Sequence, residues 1–355
     1  MSQALRGSIL RWYQSHRRDL PWRRTRDPYA IWVSEIMLQQ TRVETVIPYY
    51  KRFLRRFPTV RALSLAKESD VLALWSGLGY YGRARNLRKA AALVVREHAG
   101  RLPESLGALR SLPGIGEYTA AAIASVAFGL PAAAVDGNVI RVLARLHGLR
   151  GRRDSTALRR AVAGRAEALA RGPRPGDWTQ ALMELGATVC LPRDPLCDLC
   201  PASRWCVAKK SAEPDRYPEA AAAARPKSEQ RVLLVARTRG RVLLIPDSAD
   251  LGATFTLPYA KVRGGALERA ARTLSRLHAP SDTSPGGPVA TFRHRTFSHD
   301  LSCVVWVASV GKMPKAGLWV PIGSVPRLPV RSHTIKALNK LPGMAGASSE
   351  RRKVV

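Results

Sequence analysis

Four of the five cysteines fall within 17 residues: Cys190, Cys197, Cys200 and Cys206, with gaps of six, two and five residues, while Cys303 stands far away. No other feature constrains the fold so tightly, because four thiols in one compact loop dictate how the chain closes there. In a reducing compartment such a cluster points to metal rather than to disulfides. The ligand chemistry suits a 4Fe-4S cluster or an all-cysteine zinc site. Zinc ribbons present two short cysteine pairs and this loop has one, but its spacing also differs from common ferredoxin patterns. The residues alone therefore leave both metals open, beside the plainer alternative of four unligated thiols.

The compartment is read from what the sequence lacks. The first residues carry no signal-peptide apolar core, and no apolar run reaches about 18 residues, the Ala-rich segment before Val135 being cut by Pro131. A soluble, cytoplasmic chain with no membrane partner is expected. Its 355 residues suggest two or three domains, and 46% hydrophobic residues suffice to fill their cores. The 58 Lys and Arg residues against 26 Asp and Glu give a net charge of +32. Arginine dominates that excess, and its planar fork suits bidentate contacts to phosphate oxygens. A nucleic-acid partner is the functional reading; an arginine bias of a GC-rich genome is the bland one.

From Pro28 to about Lys209 apolar residues recur at helical spacing, with breakers at Pro58, Gly77, Gly100 and Pro131. Residues 1–210 read as one mainly helical domain. The stretch 211–230 reads as a connector. After it, two β-rich runs, Arg231–Arg237 and Arg241–Pro246, precede a helix at Ala266–Leu277 and a strand at Ser302–Val310, so 231–342 is expected to be a mixed α+β domain. Residues 343–355 are small, polar and basic and are expected to be a disordered tail.

A second motif lies at Leu112-Pro-Gly-Ile-Gly116, between two helical runs. Gly114 and Gly116 permit a tight hairpin whose following helix start offers backbone amides to a phosphate, the helix-hairpin-helix way of gripping DNA without reading sequence. By itself the segment also fits an ordinary turn.

Together with these two motifs, Leu20-Pro-Trp22, Asp27-Pro-Tyr29, Trp32-Val-Ser-Glu-Ile-Met-Leu-Gln-Gln-Thr41, Gly77-Leu-Gly-Tyr-Tyr81, Ala84-Arg-Asn-Leu87 and Val135-Asp-Gly-Asn-Val139 resemble the MutY-type adenine DNA glycosylases, in that family's order, over about residues 10–207. The resemblance implies a six-helix barrel at 22–130, an iron-sulfur module built from 1–21 and 131–210, and a single 4Fe-4S cluster on the four cysteines. It also implies removal of adenine mispaired with 8-oxoguanine or guanine in double-stranded DNA, by a monomer associated with the nucleoid.

The chemistry can be argued beside the resemblance. Cleaving an N-glycosidic bond to adenine needs an acid for the base and a negative charge near the cationic sugar. Glu35 sits in the apolar run Ile31–Leu38, where desolvation should raise its pKa and keep a proton available; a surface glutamate is the alternative. Asp136 precedes an apolar-periodic run and can cap that helix, staying ionised, while also facing the sugar cation. In endonuclease III-type relatives a lysine at the hairpin forms a Schiff base and cuts the strand; here Tyr118 occupies that position, and a phenol cannot form an imine. No lysine occurs from Ala90 to Ala208. A monofunctional glycosylase is expected.

By resemblance, Trp22, Arg23 and Glu184 line the adenine pocket, Asn138 helps position the site, and Gln40 and Tyr80 wedge into the stack where the adenine leaves. In the second domain Phe297, Ser298 and His299 resemble the family's lesion-contacting segment, and the fold is expected to be Nudix-like. However, Gly265–Arg272 lacks the acidic cluster that binds Mg²⁺ in Nudix hydrolases, and residues 250–258 depart from the family's usual ending. Competing readings are an endonuclease III-like bifunctional glycosylase, a non-catalytic iron-sulfur DNA-binding protein and a nucleotide pyrophosphatase.

Overall fold

The computed structural model describes residues 3–220, 226–247, 254–280, 286–296, 299–311, 313–314 and 317–341. They form two compact units, one comprising 1–66 and 86–223 and the other 67–85 and 224–355. The second unit is thus discontinuous: the short segment 67–85, which the sequence placed within 22–130, is grouped with the C-terminal region. Among the described residues no helix is long and apolar enough to cross a membrane.

The first unit is helical throughout. It contains α1 (Gln3–His16), α2 (Pro28–Leu38), α3 (Val43–Arg56) and α4 (Val60–Ser64). After α5 (Glu68–Trp75) of the second unit, α6 (Gly82–Glu97) leads back to α7 (Leu106–Ser111), α8 (Glu117–Val126), α9 (Gly137–His147), α10 (Thr156–Ala170), α11 (Pro175–Thr188) and α12 (Val207–Lys210). Helix α1 extends the helical region beyond the expected start at Pro28.

Two of these helices are sheathed almost all round. Helix α2 begins with Asp27, whose carboxylate accepts from the Tyr29 amide at 3.0 Å, and Pro28, whose missing N–H costs nothing in the first turn. Its residues Tyr29–Ser34, Ile36 and Met37 are all buried, so a charged residue in its midst is an exception that needs a reason. In α8 every residue from Thr119 to Val126 is buried. A core of Leu5, Ile9, Tyr13, Val142, Leu143, Leu158, Val162, Trp178 and Leu185 joins α1, α9, α10 and α11.

A close approach lies between α9 and α11. A Cβ built on Gly186 would stand 2.6 Å from Asn138 Cβ, so only glycine lets the two backbones come this close.

The second unit carries a mixed sheet of strands β1 (Lys227–Thr238), β2 (Arg241–Pro246), β3 (Phe255–Thr256), β4 (Tyr259–Val262), β5 (Ala290–Arg295), β6 (His299–Ser309) and β7 (Leu318–Pro321). The order β3-β2-β1-β6-β5 has β4 pairing with β1 and β7 with β2. Strands β1 and β6 run parallel from Lys227 opposite His299 to Arg237 opposite Ser309. The β1–β2 hairpin turns through Arg239 (φ 43°) and Gly240 (φ 74°), both left-handed, as two-residue hairpins prefer.

Both faces of the sheet are covered. Leu233 and Val235 point into one core with Cys303, Val305 and helix α14 (Ser332–Leu338), whereas Val232, Leu234 and Ala236 point into another with Trp306 and helix α13 (Leu267–His278). This is the mixed α+β architecture expected of a Nudix-like domain. Strand β1 starts at Lys227, so the expected connector 211–230 ends earlier than the sequence suggests. Part of that connector is also docked: Glu219 pairs as an isolated bridge with Arg152. The tail at 343–355 lies outside the described residues.

Gly186→Ala should therefore lower stability by about 1–3 kcal/mol, the usual range for overpacking. Gly164→Ala in α10, where a Cβ meets nothing within 4 Å, should instead stabilise by about 0.5–1 kcal/mol. Thermal melts of the two variants beside the parent protein check both signs.

Candidate functional site

A cavity of about 290 Å³ in the first unit is walled by residues that include members of five elements. Trp22 and Arg23 come from the turn after α1, Glu35 from the middle of α2, Tyr118 from the first turn of α8, Asp136 and Asn138 from the start of α9, and Met183 and Glu184 from α11. All seven residues expected by sequence to surround the reacting base are therefore brought together.

Each is held by its element. Asp136 caps α9, its Oδ1 accepting from the Val139 amide at 2.7 Å, while Asn138 Nδ2 donates to its Oδ2 at 3.1 Å. The expectation that the cap keeps Asp136 ionised meets a competing effect: burial pushes its pKa up, and the hydrogen bonds from Val139 and Asn138 with the nearby Arg141 charge only partly offset that. Burial likewise raises Glu35, to about 7, with the Tyr118 hydroxyl pulling it down, the Asp136 charge adding to the rise and Arg23 opposing it. At neutral pH Glu35 is thus divided between its protonated and ionised forms. The Tyr118 hydroxyl, itself pushed upward by burial, lies 3.7 Å from Met183 Sδ.

At the other side of the cavity Glu184 is fully buried, yet its environment acts in the opposite sense. Burial would raise its pKa, but Arg18 donates from its amide and its guanidinium at 2.8–2.9 Å and Arg23 Nη2 donates at 2.7 Å, and together they hold it at about 2. It is a permanent anion clamped by two arginines. Trp22 is buried beneath, edge-on to Tyr50. Arg18 was not picked out from the sequence; its partner lies 166 residues away, and no local pattern marks it.

Between α7 and α8, Gly114 has φ +80°, and a Cβ there would come within 2.8 Å of Asn86 Cβ; Gly116 caps α8. The hairpin is thus formed as the glycines anticipate. The exposed Gln40, left-handed at φ 57°, follows α2 and does not line the cavity. Tyr80 and His299 belong to the second unit, where both line a separate cavity of about 820 Å³. Phe297 and Ser298 lie outside the described residues.

The four cysteines all line one small pocket with Arg145, Val189, Leu196 and Pro214. Among the described residues no three His, Cys, Asp or Glu side chains converge as a single metal ion requires. Burial pushes Cys200 up to about 11 and raises Cys206 as well, so thiolates there call for positive charge beside them. The buried Arg145 donates to Cys190 Sγ at 3.5 Å and to the Leu191 and Pro192 carbonyls, and Arg141 donates to the Cys190 carbonyl at 2.8 Å. Neither arginine was singled out by sequence; two arginines four apart within the wholly buried run Val139–Leu146 were the available signal.

Known proteins bear on this geometry. The model of the HhH-GPD superfamily of base excision DNA repair proteins matches residues 33–167. A solved thermostable thymine-DNA glycosylase is 32% identical, with a TM-score of 0.52, covering 58% of this chain and 94% of that one. The chain belongs to the HhH-GPD superfamily of base excision DNA repair proteins. Among curated proteins it is similar to adenine DNA glycosylases: that of Homo sapiens is 47% identical over 222 residues, and that of Buchnera aphidicola subsp. Acyrthosiphon pisum 38% over 211. Those matches take in 60% and 59% of this chain, which spans 41% and 60% of the two relatives.

Glu35 carries a prediction independent of any activity. Its folded pKa of about 7 exceeds the ordinary 4.5. The unfolded chain therefore loses this proton first, and the stabilising contribution of protonated Glu35 is complete below about 4.5 and lost as pH rises through about 7. At roughly 1.4 kcal/mol per pH unit, the ceiling is about 3 kcal/mol. Glu35→Gln should thus gain stability relative to the parent as pH goes from 5 to 8, read as a widening gap between their melting temperatures.

Proposed function

We propose that this protein is a monofunctional adenine DNA glycosylase that hydrolyses the bond between adenine and deoxyribose where adenine is mispaired with 8-oxoguanine or guanine. The observation that carries this reading is the one cavity in which a carboxyl able to keep its proton near neutral pH shares its walls with a second carboxylate and with a phenol where a lyase would need an amine. The names of the relatives, adenine DNA glycosylase, support the choice of base.

In this mechanism duplex DNA is held at the glycine hairpin, with Gln40 and Tyr80 filling the gap left by the extruded adenine. Trp22, Arg23 and Glu184 form the wall against which the base rests. Glu35 donates its proton to the departing adenine as the C–N bond breaks, and Asp136, positioned by Asn138, stabilises the sugar cation. Water adds to the sugar carbon and gives up a proton, leaving free adenine and an abasic site. With neither an amine at Tyr118 nor any lysine from 90 to 208, the strand stays intact. Phe297, Ser298 and His299 are assigned to the base opposite.

The four cysteines are assigned to one 4Fe-4S cluster, which would supply a rigid, charge-balancing brace for the loop 190–206, since hydrolysis moves no electron. Purified protein should be yellow-brown and hold about four irons per chain. Zinc in a colourless preparation would replace that assignment.

The reaction itself is tested by single-turnover assay on an end-labelled duplex with adenine opposite 8-oxoguanine, with and without hot alkali. Strand fragments should appear only after alkali. Glu35→Gln should abolish base release, a loss of at least about 100-fold, while leaving mismatch binding intact; retained turnover removes Glu35 as the acid. The parent rate should fall above about pH 7 as Glu35 loses its proton.

A further inference from the structure

The loop before α6 is wound in an uncommon way. Gly77, Gly79 and Tyr80 all have positive φ, at 102°, 73° and 51°, and Tyr80 carries a side chain in a conformation that L residues rarely adopt. Its ring is nonetheless half exposed at the rim of the second unit's cavity. A large aromatic on a strained, exposed loop keeps a fixed direction only if something behind the loop holds it.

That something is Arg83, the second residue of α6. Its Nη2 donates to the Gly79 carbonyl at 3.1 Å and the Leu78 carbonyl at 3.3 Å, the two peptide groups preceding Tyr80. Its guanidinium carbon lies 5.6 Å from the Tyr80 ring centre and 5.5 Å from that of Trp75, so the cation stands beside both aromatics. Trp75 Nε1 in turn donates to the same Gly79 carbonyl at 3.2 Å. Burial pulls the Arg83 pKa down to about 10, which still leaves it charged at neutral pH. The loop's flanks are fastened too, by Ser76 Oγ donating to the Leu328 carbonyl at 3.1 Å and the Tyr81 hydroxyl to Val330 at 3.2 Å.

We propose that Arg83 is a positioning residue that fixes the Tyr80 ring as a preformed wedge for the DNA stack. A wedge already ordered before binding loses less conformational freedom on insertion, so Arg83 sets how readily the adenine is exchanged for the tyrosine ring. Lysine can offer one nitrogen to both carbonyls, as Nη2 does, but not the planar guanidinium that lies beside two rings. The inference rests on the wedge role given to Tyr80 in the proposed function.

The test is a double-mutant cycle of Arg83→Gln with Tyr80→Ala, read by single-turnover adenine release and by 2-aminopurine fluorescence beside the mismatch on binding. Arg83→Gln should reduce both the rate, about tenfold, and the fluorescence rise, and should have little further effect once Tyr80 is alanine. Arg83→Lys should recover less than half of the lost signal. Equal losses with and without Tyr80, or full recovery by lysine, overturn the proposal. If Arg83→Gln melts before the assay temperature, the same cycle is run with Arg83→Lys, where additivity again overturns it. Fluorescence reports base unstacking whether or not adenine is released, so an inactive parent protein would sink the glycosylase reading and leave this cycle interpretable.

Discussion

The approach of α9 to α11 at Gly186 and Asn138 is the contact on which the rest of the helical unit depends. Helix α9 begins at the carboxylate of the cavity and carries Arg141 and Arg145 along its buried side. Arg141 donates to Asn138, to the Gly186 carbonyl and to the Cys190 carbonyl, and thereby ties the start of α9, the body of α11 and the cysteine loop to one guanidinium. Buried cations are tolerated only when their donors are used, and here the acceptors are backbone carbonyls that would otherwise be stranded. Removing either arginine would leave several orphaned groups at once.

Within one cavity, two glutamates of identical chemistry are driven to opposite states. Glu184 has two guanidiniums and a backbone amide against it and stays charged at any physiological pH. Glu35 has burial and a neighbouring carboxylate and holds its proton to about 7. The difference arises from what each side chain faces: hydrogen bonds from Arg18 and Arg23 outweigh burial at Glu184, whereas at Glu35 burial outweighs the Tyr118 hydrogen bond and the Arg23 charge. One cavity thus contains a fixed anion held by two arginines and an adjustable one that can exchange a proton.

Local chemistry was the part of this arrangement legible in the sequence. The apolar run around Glu35, the Asp-Gly-Asn helix start at 136–138, the glycine hairpin and the cysteine spacing each act over a few residues, and each appears where it was expected. What escaped were the partners brought in from afar: Arg18 on Glu184, Arg145 on the cysteine loop, and the grouping of 67–85 with the C-terminal region. Strands β4, β5 and β7 escaped for a related reason. They are short, and their identity comes from pairing with β1, β6 and β2 rather than from their own composition. The upward push on Asp136 shows the same limit, because a cap predicts hydrogen bonds but not the burial that competes with them.

The discontinuity of the second unit has a consequence for how the chain reaches its native state. Residues 67–85 leave the ribosome early, but Leu328 and Val330, which accept from Ser76 and Tyr81, are made some 250 residues later. At about 5–20 residues per second that is a delay of more than ten seconds. The parallel pairing of β1 with β6 is likewise long-range, and such contacts form slowly because a large loop must close first. During synthesis the helical unit can acquire its core while the Tyr80 loop still awaits its C-terminal anchors. A chain truncated before residue 328 would keep the whole cavity around Glu35 in its sequence and lose two fastenings of the loop.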